Sequence, residues 1–491
     1  MMNAAANIAG KLFGHGSGTT NEDATMQENT SESTIQESEA NLARKMNAVV
    51  YHGKGDVRYE KVPKPIMVDT IHGKDALIRV TATSIDGIDV AAYNNSQLLG
   101  LVNGDILGHE FMGIVEEVGI DVLLPVGSRV VVSLNISCGE CDYCKSKLFS
   151  ACSKTNPRLT PGQVIDAQTC GAFGLGPRFG RYQGGQAEYV RVPFADVNCL
   201  PIPDDVMDEK ALLLSNVIPT AYHACRNVRE GDVVGIWGMG PVGLCAARWC
   251  QVLGAKRIIG ISGTEDRLDI ARNRLGIDAI NYNTDNVTER IAELEQRGLD
   301  VAIDAANPGA PKSTSHKLQR ALGLEASAPE VITECVMSLR KFGNLTLIAG
   351  YDGTINGFPI LEFERRHINM TIGLSPTQKL WHYCLSKVVD GTFDPRYVIS
   401  HYMSLAEAPE AYKKLAAHED GFIKVFLRPE PPSAIEPGEQ PDQVDAYRQS
   451  SEARLQSEME VVDTPMEVQR EVQVTETVQV QVPPQGASEY Y

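Results

Sequence analysis

The segment that most constrains the fold is a glycine-rich turn, Gly238-Met239-Gly240-Pro241-Val242-Gly243. A short apolar run, residues 233–237, precedes it, and residues 241–254 have a helical pattern. In this position the first glycine permits a tight turn, the second lets the backbone approach a pyrophosphate, and the third lets helix and strand pack closely. Pro241 suits the first turn of a helix, whose N-terminus would face the diphosphate with its positive end. The turn therefore predicts a dinucleotide-binding unit.

The residues that follow alternate between apolar runs and helical stretches, which is typical of βαβ units and a parallel sheet. The alternation covers residues 257–262, 265–275, 279–282, 287–297 and 300–305. Residues 307–330 are rich in Pro, Gly, Ser and Ala and predict an inserted loop. A helix over residues 331–340 and a strand over residues 345–350 then resume the pattern. We predict a doubly wound, Rossmann-type α/β domain over residues 216–373.

The residue that reads the ribose of the dinucleotide is expected at the end of the second strand, where Ser262 stands. An acidic residue there would bind the 2′-hydroxyl of NAD and repel the 2′-phosphate of NADP, and Ser262 does neither. Arg267 could reach a phosphate, although Glu265 and Asp266 would oppose one. Both NAD and NADP therefore remain candidate cofactors.

The first half of the chain has a different pattern. Residues 46–215 contain short Val-rich and Ile-rich runs separated by Gly and Pro, which predicts a mostly β domain. Residues 1–45 show no hydrophobic period, and residues 431–491 are acidic and rich in Pro, Glu and Gln. Within the second segment, valines at 472–482 alternate with polar residues, and a strand that pairs with a partner's sheet edge is the alternative there. Such segments bury too little apolar surface to offset the entropy of ordering, so we predict disordered N- and C-terminal tails.

Composition narrows the class of protein. A chain of 491 residues suggests two or three domains at roughly 150 residues each. No apolar run approaches the roughly 18 residues of a membrane span, and the acidic N-terminus fits neither a secretory signal nor a mitochondrial presequence, so we expect a cytoplasmic protein. The net charge of −18 argues against nucleic acid or an anionic membrane as a partner.

Four of the eleven cysteines form a C-x2-C-x2-C-x7-C pattern: Cys138, Cys141, Cys144 and Cys152. Four thiolates at this spacing can close a tetrahedral zinc site, which contributes folding energy and leaves no position open for a substrate. The sequence therefore predicts a structural zinc lobe. The other seven cysteines are scattered, and we expect ordinary core or surface positions for them.

Several motifs together carry a family resemblance. The cysteine lobe, Gly108-His109-Glu110, Gly184-Gly185-Gln186-Ala187-Glu188-Tyr189-Val190 and the glycine turn resemble zinc-containing medium-chain alcohol dehydrogenases. The segments 192–196 and 214–220 are similar to the formaldehyde dehydrogenase branch. The resemblance covers about residues 46–429 and implies a GroES-like catalytic domain over residues 46–215, followed by the Rossmann domain. It also implies a segment, residues 374–430, that returns to the first domain, a small-molecule substrate, and a homo-oligomer (dimer or tetramer).

The resemblance also implies a catalytic zinc, which this sequence matches only in part. His109 stands at the histidine ligand, Glu110 beside it is a possible alternate ligand, and Asp86 replaces the first cysteine ligand. Asn216 replaces the third ligand, and Ile88 occupies the proton-relay position although it cannot carry a proton. Zinc accepts carboxylate oxygen, so Asp86, His109 and Glu110 form a candidate metal site, with a zinc-free site as the alternative.

Three functions remain open at this point. The first is an NAD(P)-dependent dehydrogenase that transfers hydride between the nicotinamide and a small alcohol or aldehyde, which needs a metal at Asp86 and His109. The second is a reductase of quinones or activated alkenes with a zinc-free site. The third is a non-catalytic relative that only binds nucleotide. We favour the first, because the dinucleotide turn and the substrate-domain motifs occur together.

Overall fold

The computed structural model describes residues 44–67, 73–94, 99–156, 169–306, 329–351, 355–419 and 421–429. Nearly all of the two predicted disordered tails and of the predicted inserted loop at residues 307–330 lies outside these ranges. Within them, none of the helices has the length and apolar character needed to cross a membrane.

Seventeen strands are present in the described ranges. In chain order they are β1 (Lys45–Gly53), β2 (Asp56–Pro63), β3 (Ala76–Ile85), β4 (Phe111–Val118), β5 (Arg129–Val132), β6 (Asn135–Ile136), β7 (Gly171–Ala172), β8 (Tyr189–Val192), β9 (Cys199–Pro201), β10 (Val233–Trp237), β11 (Arg257–Ser262), β12 (Asp278–Asn281), β13 (Leu299–Asp304), β14 (Leu339–Leu347), β15 (Asn369–Ile372), β16 (His401–Ser404) and β17 (Val425–Arg428).

Twelve α-helices are present in the described ranges. They are Gly87–Asn94, Asp142–Lys145, Ala195–Asn198, Asp208–Ala211, Val217–Ala224, Pro241–Val252, Glu265–Asp269, Val287–Leu294, Glu330–Ser338, Ile360–Arg366, Thr377–Val389 and Ala408–Ala417.

The first domain is built on a seven-stranded sheet with the order β16-β17-β3-β4-β5-β9, in which β8 also pairs with β3. The hairpin β1–β2 and the short pair β6–β7 complete it. The core between these layers contains Phe111 and Phe173, whose rings meet edge to face at 5.1 Å. The domain is mostly β, and two of its strands, β16 and β17, come from the end of the chain.

The second domain contains a six-stranded parallel sheet with the order β12-β11-β10-β13-β14-β15. Every residue of β10 is buried, as expected for a parallel strand with neighbours on both sides. The chain runs outward from β10 to β12 and then restarts at β13 on the other side of β10. The strand order therefore reverses between β10 and β13, which is where doubly wound sheets bind dinucleotides.

The last part of the chain returns to the first sheet. Strand β17 pairs antiparallel with β3, with Val425 opposite Ile85 and Phe426 opposite Ser84. The residue before β17 is Lys424, and the residue after β3 is Asp86. The pairing therefore places a basic residue from the end of the chain beside an acidic residue from its beginning.

Two element boundaries in the second domain differ from the sequence-based prediction. The helix predicted over residues 331–340 ends at Ser338, and the strand predicted to begin at residue 345 begins at Leu339. Phe342 has a φ of 59°, and the register of β14 with β13 shifts between its first and later pairs. This irregularity interrupts the alternation of buried and exposed side chains along the strand. The first half of the strand therefore lacks a strand pattern, and its first residues are predicted as the end of the preceding helix.

Candidate functional site: a dinucleotide turn, a cysteine lobe and a buried charged centre

The glycine turn has the predicted strand-turn-helix geometry. Gly238 follows β10 with a φ of 92°, a conformation that favours glycine, and the helix begins at Pro241. A Cβ atom on Gly243 would lie 1.9 Å from the carbonyl oxygen of Gly238. Only glycine fits there, because the helix approaches the turn too closely for any side chain. Gly240 and Val242 lie between these positions, so all the predicted residues of the turn come together.

Ser262 and Arg267 lie on the same side of the sheet as this turn. Ser262 ends β11 and is buried, and its Oγ accepts a hydrogen bond from the backbone N–H of Thr264 at 3.3 Å. The guanidinium of Arg267 reaches to within 4.0 Å of the position that a Cβ on Gly240 would take. Burial lowers the pKa of Arg267, and its Nε has no hydrogen-bond partner among the described residues. Arg267 is therefore close enough to the turn to meet an anionic ligand.

The end of β13 packs against the glycine turn and carries a buried carboxyl group. A Cβ on Gly238 would lie 2.6 Å from the carbonyl oxygen of Ala305. Asp304, one residue earlier, is fully buried, accepts a hydrogen bond from the N–H of Ala306 at 3.0 Å and another from the hydroxyl of Tyr351. Burial raises the pKa of Asp304 to about 7, and the hydrogen bond from Tyr351 only partly offsets it.

We expect Asp304 to make the stability of the protein depend on pH. Its pKa is about 7 in the folded chain against 3.8 for an ordinary aspartate, so its contribution is complete below the lower value and disappears as the pH rises through the higher one. In the Asp304→Asn variant, that loss should vanish. Urea unfolding from pH 4 to pH 8 measures the unfolding free energy of both proteins. A difference between wild type and variant that stays constant across this range would contradict the role of Asp304.

The four predicted cysteines converge at one end of the first domain. Their sulfur atoms all lie within 4.8 Å of one another, and the Cys138–Cys144 and Cys141–Cys152 pairs are each separated by 4.0 Å. Zn–S bonds of about 2.3 Å in a tetrahedron require sulfur atoms about 3.8 Å apart. The arrangement therefore fits a zinc ion without rearrangement of the backbone.

Backbone N–H groups support the negative charge that thiolates would carry. The N–H groups of Glu140 and Cys141 each donate to the Sγ of Cys138 at 3.4 Å, and the N–H of Cys138 donates to the Sγ of Cys152 at 3.4 Å. A hydrogen bond from Cys144 lowers the pKa of the Cys152 thiol to about 4. The lobe is thus arranged for metal coordination. The remaining seven cysteines are all buried and lie outside this donor group.

A second group of possible metal ligands lies in the body of the first domain. Asp86, His109 and Glu110 each offer an atom within 4.8 Å of the others, and the Nε2 of His109 is 3.5 Å from the Oδ2 of Asp86. Zn–N and Zn–O bonds of about 2.0 to 2.2 Å require donors about 3.4 Å apart. The Asp86–His109 pair therefore fits a metal ion as it stands.

The imidazole of His109 is held in place from its other nitrogen. Its Nδ1 lies 3.2 Å from the Oδ1 of Asp89, while the Oδ2 of Asp89 accepts the N–H of Asp86 at 2.9 Å. A carboxylate behind a histidine in this way fixes the ring orientation and directs the Nε2 lone pair toward a metal. Burial opposes protonation of His109, but the charge of Asp89 and hydrogen bonds to both aspartates outweigh it and raise the pKa to about 10.

Lys424 is a member of this centre that sequence reasoning missed. Its ammonium lies 3.2 Å from the Oδ1 of Asp86 and is bonded to the Oε2 of Glu110, and it is only 1% exposed. Burial disfavours the charged form, but the carboxylates of Glu110 and Asp86 dominate and raise the pKa of Lys424. In the sequence, Lys424 stands directly before the apolar start of the final strand. That local pattern does not show which groups the lysine contacts.

Asn216 closes the remaining side of the centre. Its Nδ2 donates to the Oε1 of Glu110 at 3.0 Å and lies 3.4 Å from the Nε2 of His109, while its Oδ1 accepts the hydroxyl of Thr220 at 2.8 Å. The predicted third-ligand position therefore does face His109. Ile88 lies in the helix after Asp86 and brings no group that can transfer a proton.

The Gly184–Val190 motif holds the loop that carries His109. A Cβ on Gly108 would lie 2.5 Å from the side chain of Gln186. The Nε2 of Gln186 donates to the carbonyl of Ser84 at 3.0 Å, and its Oε1 accepts the buried hydroxyl of Tyr412 at 2.9 Å. One glutamine thus links β3, the His109 loop and the returning segment.

Comparison with known proteins agrees with this architecture. Residues 72–204 match the alcohol dehydrogenase GroES-like domain, and residues 241–323 match the zinc-binding dehydrogenase family. A zinc-type alcohol dehydrogenase-like protein of Schizosaccharomyces pombe is 37% identical over 430 residues, which cover 87% of this chain and 98% of the relative. The chain belongs to the zinc-type alcohol dehydrogenase family. The predicted fold class and family are thereby confirmed, and the matched family is one of zinc-binding dehydrogenases.

Two further similarities bear on this zinc-type dehydrogenase. A glutathione-independent formaldehyde dehydrogenase of Bacillus subtilis is 33% identical over 62% of this chain and 74% of its own length. A solved alcohol dehydrogenase from Thermus sp. ATN1 is 30% identical, with a TM-score of 0.67, over 78% of this chain and its whole length. The first of these is a formaldehyde dehydrogenase by name, and the second has the fold of an alcohol dehydrogenase.

Proposed function

We propose that this chain is an NAD(P)-dependent oxidoreductase that transfers hydride between the nicotinamide and a small alcohol or aldehyde, with a divalent metal at the centre formed by Asp86, His109 and Glu110. The dinucleotide binds at Gly238–Gly243, with Ser262 and Arg267 beside its ribose. The zinc lobe of four cysteines has a structural role.

The observation that carries the proposal is the orientation of His109. Its Nδ1 is bound by Asp89 at 3.2 Å, and its Nε2 faces the Oδ2 of Asp86 at 3.5 Å in a buried site. This combination of a histidine, a carboxylate behind it and a second carboxylate in front of it is the chemistry of a metal centre. The candidate metal ligands offer nitrogen and oxygen and no sulfur, so the site suits harder metal ions than a site with thiolate ligands does.

A bound metal would supply Lewis-acid polarisation of the substrate oxygen. The chain itself orients the donors and excludes water: His109 is 1% exposed and Glu110 is fully buried.

A second candidate is a reductase of quinones or activated alkenes that works without a catalytic metal. The ion pairs of Lys424 with Asp86 and Glu110 support it, because the ammonium offsets part of the negative charge of these two carboxylates with no metal present. In such a reaction the substrate itself polarises the carbon that receives hydride.

Metal content and substrate preference separate these candidates. For the proposed dehydrogenase, elemental analysis should give two zinc ions per chain, and a chelator should abolish oxidation of NADH or NADPH with small aldehydes. Zinc should then restore the activity. One zinc per chain, with chelator-resistant turnover of an enone, would favour the metal-free reductase instead. Nucleotide binding measured by fluorescence, without any turnover, would identify a non-catalytic relative.

We also propose a cytoplasmic homo-oligomer, a dimer or tetramer. Strand β15 supports it: among the described residues it pairs only with β14, and its Met370 and Ile372 are 43% and 60% exposed. An open apolar edge of this kind is prone to pair with another chain. Light scattering should give a mass of two or four chains, whereas a monomer at micromolar concentration would contradict this.

A further inference from the structure

The strongest unexplained feature is a lysine enclosed in the centre that we assign to a metal. Lys424 and Glu110 are 1% and 0% exposed, so both members of this ion pair are shielded from solvent. We propose that Lys424 is a resident cation of the centre, which occupies ligand oxygens of Asp86 and Glu110 and so weakens the binding of a divalent metal there. This inference rests on the proposed function, because it concerns the same metal.

The contacts of the carboxylate oxygens show which atoms remain available to bind a metal beside Lys424. The Oδ1 of Asp86 faces the ammonium at 3.2 Å, and the Oε2 of Glu110 is bonded to both Lys424 and the hydroxyl of Ser84. The Oε1 of Glu110 accepts the Nδ2 of Asn216 at 3.0 Å. Only the Oδ2 of Asp86 and the Nε2 of His109 remain for a metal. Glu110 can therefore become a ligand only when its bond with Lys424 is broken.

The charges lead to the same conclusion. Asp86, Asp89 and Glu110 contribute three negative charges and Lys424 one positive charge, so a divalent ion that arrives beside a neutral His109 meets a net charge of −2. Without Lys424, the same ion would meet a net charge of −3. Since charges in a buried site interact more strongly than in water, the ammonium repels an incoming metal and also compensates the carboxylates when no metal is present.

The test compares Lys424→Met with a matched control, Lys64→Met. Lys64 also forms a half-buried ion pair, with Glu116 at 2.8 Å, but lies outside both metal sites. Zinc binding is measured on the full chain in chelator-buffered zinc, with zinc content read by elemental analysis. We expect Lys424→Met to bind the second zinc about tenfold more tightly or better, with the lobe zinc unchanged and the control like wild type.

Unfolding temperature provides an independent readout. Lys424→Met leaves the buried carboxylate of Glu110 without its cation, so the variant should be less stable than wild type without the second zinc and recover when zinc is added. Equal zinc affinity in wild type and variant, or weaker binding in the variant, would overturn the role of Lys424 alone. If neither protein takes a second zinc, both this inference and the proposed metal centre are wrong.

A double variant covers the case in which Lys424→Met does not fold. Lys424→Met with Glu110→Gln removes the pair together and keeps the net charge of the centre, but frees the Oδ1 of Asp86. We expect it to bind the second zinc at least as tightly as wild type. A loss of tenfold or more would mean that Lys424 and Glu110 are needed to position the ligands, which contradicts the inference.

Discussion

Replacing His109 with alanine is expected to lower kcat/KM for alcohol or aldehyde by about three orders of magnitude or more, and to remove one of two zinc ions per chain. His109 supplies the only nitrogen donor of the described centre. Polarisation by a metal is worth several kcal/mol in the transition state, and each 1.36 kcal/mol corresponds to tenfold in rate. Steady-state kinetics with NADH or NADPH, together with elemental analysis, measures both effects.

The matched control for this change is His52→Ala. His52 forms a partly exposed ion pair with Glu60 at 3.2 Å and belongs to neither group of candidate ligands. We expect its kinetics and its zinc content to match those of wild type. If His109→Ala retained full activity with two zinc ions, the centre would have neither a metal nor a catalytic role at this residue. If activity fell while a single zinc was present in both proteins, the metal-free reductase would be favoured.

The fold could be predicted well because its signals are local. The glycine turn at Gly238, the buried strand before it and the helix from Pro241 are contiguous in sequence, and each glycine has a steric reason that acts over a few residues. The cysteine lobe is equally local, since Cys138 and Cys152 are fourteen positions apart. Predictions of this kind do not depend on how distant segments pack.

Boundaries were harder to predict where tertiary packing decides them. The helix predicted over residues 265–275 is α-helical only to Asp269, and its last turn, Ile270–Arg274, is a π-helix. The strand that starts at Leu339 begins six residues earlier than predicted. Its charged residues form an unfavourable local pattern for a strand, but the pairing of Leu339 with Leu299 fixes the extended conformation. In both places the segment itself carries too little periodicity to show the change.

Only the residues that the first half of the chain contributes to the charged centre could be predicted. Asp86, His109 and Glu110 follow from the family pattern, but Lys424 is more than three hundred residues from either acid and approaches them through the pairing of β17 with β3. The hydrogen bond of Tyr412 to Gln186 has the same origin. Partners from a returning segment cannot be assigned until its register is known, because a shift of one residue would turn Lys424 to the opposite face of the sheet.

The cysteine lobe should show the largest effect on stability. In Cys144→Ser, one of four thiolates is replaced by a hydroxyl that binds zinc poorly, and we expect the lobe zinc to be lost. Structural zinc contributes about 10 to 16 kcal/mol to the folding of isolated zinc peptides, so a loss of about 4 kcal/mol or more is expected here. Zinc content and unfolding by urea or heat measure it.

This effect should extend beyond the lobe, because the lobe supports the returning segment. The Nε2 of Gln378, in the helix Thr377–Val389, donates to the carbonyl of Asn135 at 2.8 Å and to the Oδ1 of Asn198 at 2.9 Å, both next to the lobe. Cys170→Ala is the matched control: Cys170 is fully buried in the same cluster but lies outside the donor group, so its zinc content should stay unchanged. If Cys144→Ser kept its zinc and its stability, the four sulfur atoms would be close neighbours in the core and not a metal site.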